Sequence, residues 1–218
     1  MYFLQLSIII FSIPAIIIAT TIHEFTRAAV SSALGDTIPK RDKRLTLNPF
    51  RHFEPIGFLL MLATGITGLM SMGNGMIFTG GGFGWGKPVD TSALYYKNRK
   101  RDTLITAIAP VIANLIAAFL FFAAARFFQQ MYWVFFFLNL TCAYNLSLVV
   151  YNLIPISPMD CLKVLSVVMP ANQYFKYLQY EKIVQMLFLL ILFTGRFTGF
   201  FGFIISRILI LFQIIVVI

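Results

Sequence analysis

The chain has 218 residues, 59% of them hydrophobic and 11% charged, against roughly 45–50% and about 25% for a soluble globular domain. That balance excludes an ordinary soluble enzyme. The net charge of +9, from 17 Lys and Arg against 8 Asp and Glu, fits basic loops between membrane helices; most aromatic residues lie inside the apolar runs, so nucleic acid is not expected as a partner.

The first apolar run, Tyr2 to Leu34, exceeds the ~20 residues with which a helix crosses a bilayer. It lacks a Lys/Arg leader and a small-residue cleavage site, so it is read as a retained first helix. The connector Gly35 to Glu54 carries Lys40, Arg41, Lys43, Arg44 and Arg51, and a second connector, Gly80 to Asp102, carries Lys87, Lys97, Arg99, Lys100 and Arg101. Basic excess marks both as cytoplasmic. The run between them, Ile56 to Phe78, then has both ends on one side. Gly57, Gly65, Gly68, Gly73 and Gly75 interrupt it, so the expected form is an element that dips in and returns, its backbone buried by protein. The helices Thr103 to Phe128 and Tyr132 to Leu153 cross outward and inward. A final stretch, Ile183 to Ile218, is divided near Gly195, Arg196 and Gly199 into two short helices. Cys142 and Cys161 show no spacing of a disulfide framework or zinc knuckle.

An ionisable group in hydrocarbon costs at least ~2.5–3.5 kcal/mol, so an acid within a membrane segment is a functional candidate. Of the eight acids, Asp36, Asp42, Glu54, Asp90, Asp102 and Glu181 fall in or beside polar connectors and are expected to be solvated. Glu24 and Asp160 are set apart. Glu24 follows His23 in the first apolar helix, and Asp160 follows Asn152-Leu153-Ile154-Pro155-Ile156-Ser157-Pro158-Met159, where two prolines break a helix near the inner face. His23-Glu24 is the start of a His-Glu-x-x-His zinc motif, in which two histidines four residues apart share a helical face and the glutamate is the general base. Arg27 stands at the second histidine position. Taken alone, the pair also fits a histidine that only hydrogen-bonds a neighbouring helix.

Further strings, in the same order, resemble the site-2 protease family of intramembrane zinc metalloproteases, in particular its small bacterial members. They are His23-Glu24-Phe25-Thr26-Arg27 with Leu34-Gly35-Asp36, Arg44-Leu45-Thr46-Leu47-Asn48-Pro49 with His52-Phe53-Glu54-Pro55-Ile56-Gly57, Gly84-Trp85-Gly86-Lys87-Pro88-Val89, Ala109-Pro110-Val111-Ile112-Ala113-Asn114, and Asn152-Leu153-Ile154-Pro155 with Pro158-Met159-Asp160. The resemblance covers about residues 10 to 168. It implies an all-α polytopic membrane protein with a small re-entrant β region around Leu45 to Asn48 and Trp85 to Val89. Residues 1–170 form the family-like core, and 171–218 add C-terminal membrane helices. It further implies proteolysis of a substrate helix within the bilayer, with His23 and Asp160 as zinc ligands, Glu24 as catalytic base, Asn114 orienting substrate, and Asn48, Lys87 and Pro88 contacting it. The setting implied is a bacterial plasma membrane, with lipid and a transmembrane helix of a client protein as partners.

The departures gather where the chemistry would be: Arg27 replaces a histidine ligand, Cys161 and Ala109 stand where the family has glycine, and Lys43 replaces the glycine before Arg44. Arginine stays protonated, has five donors and no lone pair, and repels a dication. Zinc is therefore expected to bind weakly or not at all, and Arg27 is expected to pair with Asp160, Glu24 or both, unless it snorkels to the interface. His52 corresponds to a histidine that zinc-binding relatives also carry, so it is assigned a role of its own in the connector and not a rescuing ligand. The resulting expectation is a proteolytically impaired member that binds transmembrane segments. An active zinc protease and a membrane transporter are the alternatives, the latter disfavoured by the lack of an inverted repeat.

Overall fold

A computed structural model describes residues 2–70, 82–194 and 196–217. In chain order it contains α1 (Tyr2–Ala33), a short α2 (Ile38–Arg41), a 3-10 turn at Pro49–Arg51, α3 (Pro55–Met70) and a 3-10 turn at Ala93–Tyr95. These are followed by α4 (Arg99–Phe127), α5 (Tyr132–Tyr151), α6 (Cys161–Val168), α7 (Ala171–Phe193) and α8 (Arg196–Val217). Four helical segments among the described residues are long and apolar enough to cross a membrane: Leu6–Ala33, Arg99–Phe127, Tyr132–Tyr151 and Gly199–Val216. The protein is an all-helical, polytopic membrane protein.

The helices are organised with polar groups inward and apolar groups outward. On α4, Ile105, Ile108, Ile112, Ile116 and Leu120 form an exposed stripe at three- and four-residue spacing, while Thr106, Pro110, Asn114 and Ala118 are buried. That is the inverse of a soluble amphipathic helix and places the aliphatic stripe toward lipid. α5 is the enclosed helix, with every residue from Leu140 to Asn152 buried. One of its sides joins α1 and α3 through Ile16, Ala19, Met61, Leu140 and Tyr144; another joins α4, α7 and α8 through Ala118, Leu146, Phe188, Ile205 and Phe212.

Chain reversal follows local chemistry. Gly35, at φ +107°, lets Asp36 N–H reach Ser31 O at 3.1 Å and closes α1. Asn98 caps α4 by accepting Arg101 N–H at 3.1 Å. α5 stops at Tyr151, before Pro155 and Pro158, whose rings cannot continue a helix.

α3 has 16 residues, about 24 Å at 1.5 Å per residue, short of a ~30 Å hydrocarbon core. After the gap in the described residues the chain runs back along the same helix. A Cβ on Gly82 would meet Met61 O and Gly65 N, and one on Gly84 would lie 2.1 Å from Gly57 O; the backbone of Trp85 abuts Gly57 in turn. Residues 82–85 thus lie antiparallel against α3. Glycine is required at 57 and 84 because the two backbones touch. The part of the expected element beyond Met70 lies outside the described residues.

Three expectations are corrected. No strand forms around Leu45 to Asn48 or Trp85 to Val89, and none occurs among the described residues. The backbone groups there are met singly instead of by a ladder: Lys87 N–H donates to His52 O at 2.8 Å, Arg44 Nη2 donates to Lys87 O, and Val89 N–H donates to Glu24 Oε2 at 3.0 Å. The stretch Ile183 to Ile218 does not hold two short helices: α7 and α8 have 23 and 22 residues, α7 starting at the 171 boundary because the polar stretch with Gln173, Lys176 and Glu181 is helical too. Asp36 and Asp102 are not solvated; their exposures are 2% and 1%. Asp36 accepts Ser31 Oγ, Ile38 N–H and Ser92 N–H, and Asp102 accepts Asn98 N–H and Arg101 Nε. These bonds fasten the second connector to the ends of α1 and α4.

Candidate functional site

The site is assembled from α1, α4, α5 and the α5–α6 loop. On α1, His23, Glu24 and Arg27 are related by three and four residues, which puts Arg27 one turn from both on a single face. That face is turned inward: His23, Glu24 and Arg27 are 3%, 3% and 2% exposed. Asn114 arrives from the buried side of α4, and Asp160 from the loop that Pro155 and Pro158 force out of α5. Asp160 directly precedes α6 yet makes no side-chain cap bond to it. Its carboxylate is used elsewhere.

Arg27 is the centre. Its Nη1 donates to both carboxylate oxygens of Glu24, at 3.1 and 2.9 Å, and its Nη2 donates to Asp160 Oδ1 and lies 3.0 Å from His23 Nε2. Nε, the remaining donor, has no partner among the described residues. Glu24 also accepts Val89 N–H, so the segment returning along α3 is tied to the same carboxylate. His23 is held from both sides. Asn114 Nδ2 is spent on Ala19 O at 3.1 Å and Asn145 Oδ1 at 2.8 Å, so its Oδ1 accepts His23 Nδ1–H at 2.8 Å. The other nitrogen, Nε2, then faces Asp160 Oδ2 at 2.9 Å as well as Arg27. Burial pushes the Asp160 carboxyl up, but the guanidinium of Arg27 and the His23 ring outweigh it and hold the group well below the usual carboxylate range. Lys163, one turn into α6, is pushed down to about 8 by burial and by the charge of Arg27.

The donor set does not fit a zinc ion. A tetrahedral site with ligand bonds of about 2.0–2.2 Å separates neighbouring ligand atoms by about 3.3 Å, and a catalytic site needs three protein ligands. Here His23 Nε2 and Asp160 Oδ2 bond directly at 2.9 Å, and the third position holds a guanidinium that has no lone pair to give. No group of three or more His, Cys, Asp and Glu side chains arranged for a metal occurs among the described residues.

Of the other residues singled out from the sequence, His52 lies outside the cluster. Its Nε2–H donates to Thr46 O at 2.7 Å and its Nδ1 faces Arg44 Nη2 at 3.5 Å, so it braces the first connector. Burial, opposed by the Thr46 bond and aided by Arg44, lowers its pKa. Asn48 is exposed and caps the Pro49–Arg51 turn, accepting Phe50 N–H at 3.1 Å. Lys87 and Pro88 are exposed beside the buried Gly86 and Val89. Cys161 donates its backbone N–H to Asn152 O, and Asn152 Oδ1 accepts Asp160 N–H at 3.2 Å. Asn145, Asn152 and the Val89 amide hold the cluster; Asn145 was not picked out from the sequence, and Asn152 and Val89 appeared there only as members of longer strings, without a role. Asn145 and Asn152 carried a signal, an amide within or ending an apolar helix; the Val89 amide carried none, because a backbone group has no residue-specific mark.

No family model matches the chain, and no solved structure matches it. The chain is similar to a protein of Bacillus subtilis (strain 168) described as "Putative zinc metalloprotease YwhC", with 28% identity over 198 residues, 87% of this chain and 83% of that protein. The chain is thus a helical protein with candidate membrane spans that is similar over most of its length to a putative zinc metalloprotease.

Proposed function

We propose that the chain is a site-2-protease-type membrane protein in which Arg27 takes the place of the zinc ion, leaving it proteolytically impaired and able to bind transmembrane segments of client proteins. The observation that carries this reading is the guanidinium bonded to Glu24 and Asp160 and set against His23. A hydrolase of this type needs a metal with an open position for water, whose pKa the ion lowers to about 7. Arg27 fills the centre, and the carboxylate that would act as base is held by that same cation and by Val89 N–H. What remains is a charge-paired clamp joining α1 to the α5–α6 loop. Zinc binding is weak or absent, residues 1–170 are the family-like core with 171–218 appended, and both basic connectors face the cytoplasm of a bacterial cell.

The deciding experiment is metal analysis of the purified chain beside Arg27→His. The reading expects no stoichiometric zinc in the unaltered protein and about one zinc per chain after the substitution, with His23 and Asp160 as co-ligands. Tightly held zinc in the unaltered protein, with chelator-sensitive cleavage of a membrane substrate that Glu24→Gln abolishes, would establish an active protease and overturn the proposal.

A further inference from the structure

The connector between α1 and α3 forms a cleft of about 470 Å³ lined by Lys40, Lys43, Leu45, Thr46, Asn48 and Arg51. Three cations converge on it, and among the described residues none of them has a carboxylate partner; the acid of the same turn, Asp42, is taken by Arg41 at 2.9 Å. Lys43 has φ +55°, in the left-handed region that disfavours any residue with a Cβ. The strain is held by Arg44 N–H on Pro39 O at 2.8 Å and Lys43 N–H on Lys40 O at 3.1 Å, which bring Lys40 and Lys43 onto one turn. A strained non-glycine residue that a neighbouring structure holds in place points to a use for its side chain. The same stretch of chain carries an exposed apolar rim: Leu47, Phe50, Phe53 and Ile56, none of them lining the cleft itself, are 65%, 86%, 41% and 63% exposed. The rim continues directly into α3, whose apolar residues lead away from the connector. Unpaired cations and exposed aliphatic and aromatic groups within one connector, leading into an apolar helix, carry the two kinds of group that a membrane surface engages.

We propose that this cleft binds the phosphate headgroup of an anionic phospholipid, with Lys40, Lys43 and Arg51 on the phosphate oxygens and Leu47, Phe50 and Phe53 against the acyl chains. A free phosphate has the same anionic chemistry, but it leaves the apolar rim unused. The site stands apart from the Arg27 cluster, so it holds or falls independently of the protease-type reading.

The test uses the full chain in nonionic detergent, observed by native mass spectrometry during titration with phosphatidylglycerol, phosphatidylcholine or inorganic phosphate. Phosphatidylglycerol should be retained in preference to phosphatidylcholine. Each of Lys40→Gln and Arg51→Gln should weaken its apparent affinity about fivefold, the effect of one cation near an anionic surface. Lys43→Gly is the sharper variant, because it removes a cation and relieves the left-handed strain together: lipid retention should fall while Tm stays level or rises. Equal retention of both lipids, variants indistinguishable from the unaltered chain, or a fall of Tm on Lys43→Gly would each overturn the proposal. Competition by inorganic phosphate at concentrations comparable to the lipid would overturn the lipid as the source of the anion.

Discussion

Replacing Arg27 with methionine keeps an unbranched side chain, though a shorter one, and deletes its charge, leaving Glu24 and Asp160 as two buried carboxylates at 3% and 1% exposure. Removing one partner of a buried ion pair costs about 3–5 kcal/mol, since the other charge remains desolvated. For a chain of this size, about 2–4 °C of Tm per kcal/mol makes that a loss of about 6–20 °C. Asp160→Asn is milder. It keeps the Arg27–Glu24 pair, and the loss of one charge-assisted bond is worth about 1.5–3 kcal/mol. Were the residues independent, the two losses would add. Because Arg27 Nη2 bonds Asp160 directly and the double variant buries one carboxylate fewer than Arg27→Met alone, the double variant should fall short of the sum by at least about 1.5 kcal/mol. Reversible unfolding of the four proteins in the same detergent measures the cycle. Additivity within about 0.5 kcal/mol would refute the clamp as a coupled unit.

Gly84→Ala should cost about 1–3 kcal/mol as overpacking, because its Cβ would lie 2.1 Å from Gly57 O, whereas Gly199→Ala, with nothing within 4 Å, should cost nothing; thermal unfolding separates the two. Burial lowers the pKa of His52, so the unfolded chain takes up a proton that the folded chain refuses. The stability due to this group is then complete above pH ~6.5 and lost as pH falls through that value toward the folded pKa. Hydrogen exchange of residues 44–53 at pH 7.5 and 5.0 should show faster opening in acid, a difference that His52→Gln abolishes. Tyr96→Phe removes the hydroxyl that meets Ser31 Oγ at 2.7 Å and accepts from Thr106 at 3.2 Å, and should cost about 0.5–1.5 kcal/mol with faster exchange confined to residues 92–98.

The helices could be read because hydrocarbon asks a simple question of a sequence, namely whether about 20 residues in a row are apolar enough. α1, α4 and α5 answer it within a few residues of their observed ends. The polar first half of α7 escaped because its helical bonding leaves no trace in hydropathy, and α6 because its apolar run of eight residues is far too short to be read as a membrane helix. The charges were read less well. Glu24 and Asp160 stood out by their apolar neighbours, but Asp36 and Asp102 sit among polar residues in the chain and are equally buried, their desolvation offset by hydroxyl, amide and guanidinium donors. Whether a connector acid is solvated depends on what folds over it, which is a matter of tertiary contact.

By itself, the sequence determined that this protein lies in a membrane, that His23, Glu24 and Arg27 share one face of its first helix, and that an arginine stands where a metal ligand would be expected. Those are consequences of hydropathy and of the 3.6-residue period, both local. That Asp160, 133 residues from Arg27 along the chain, should meet that face was expected only through the family resemblance; the tertiary structure alone decided which atoms bond there, that Asn114 and Asn145 turn His23 toward it, and that the returning segment brings Val89 N–H onto Glu24. A buried charge must find its counter-charge wherever the packing of helices allows, and that packing joins residues whose separation in sequence carries no signal of their encounter.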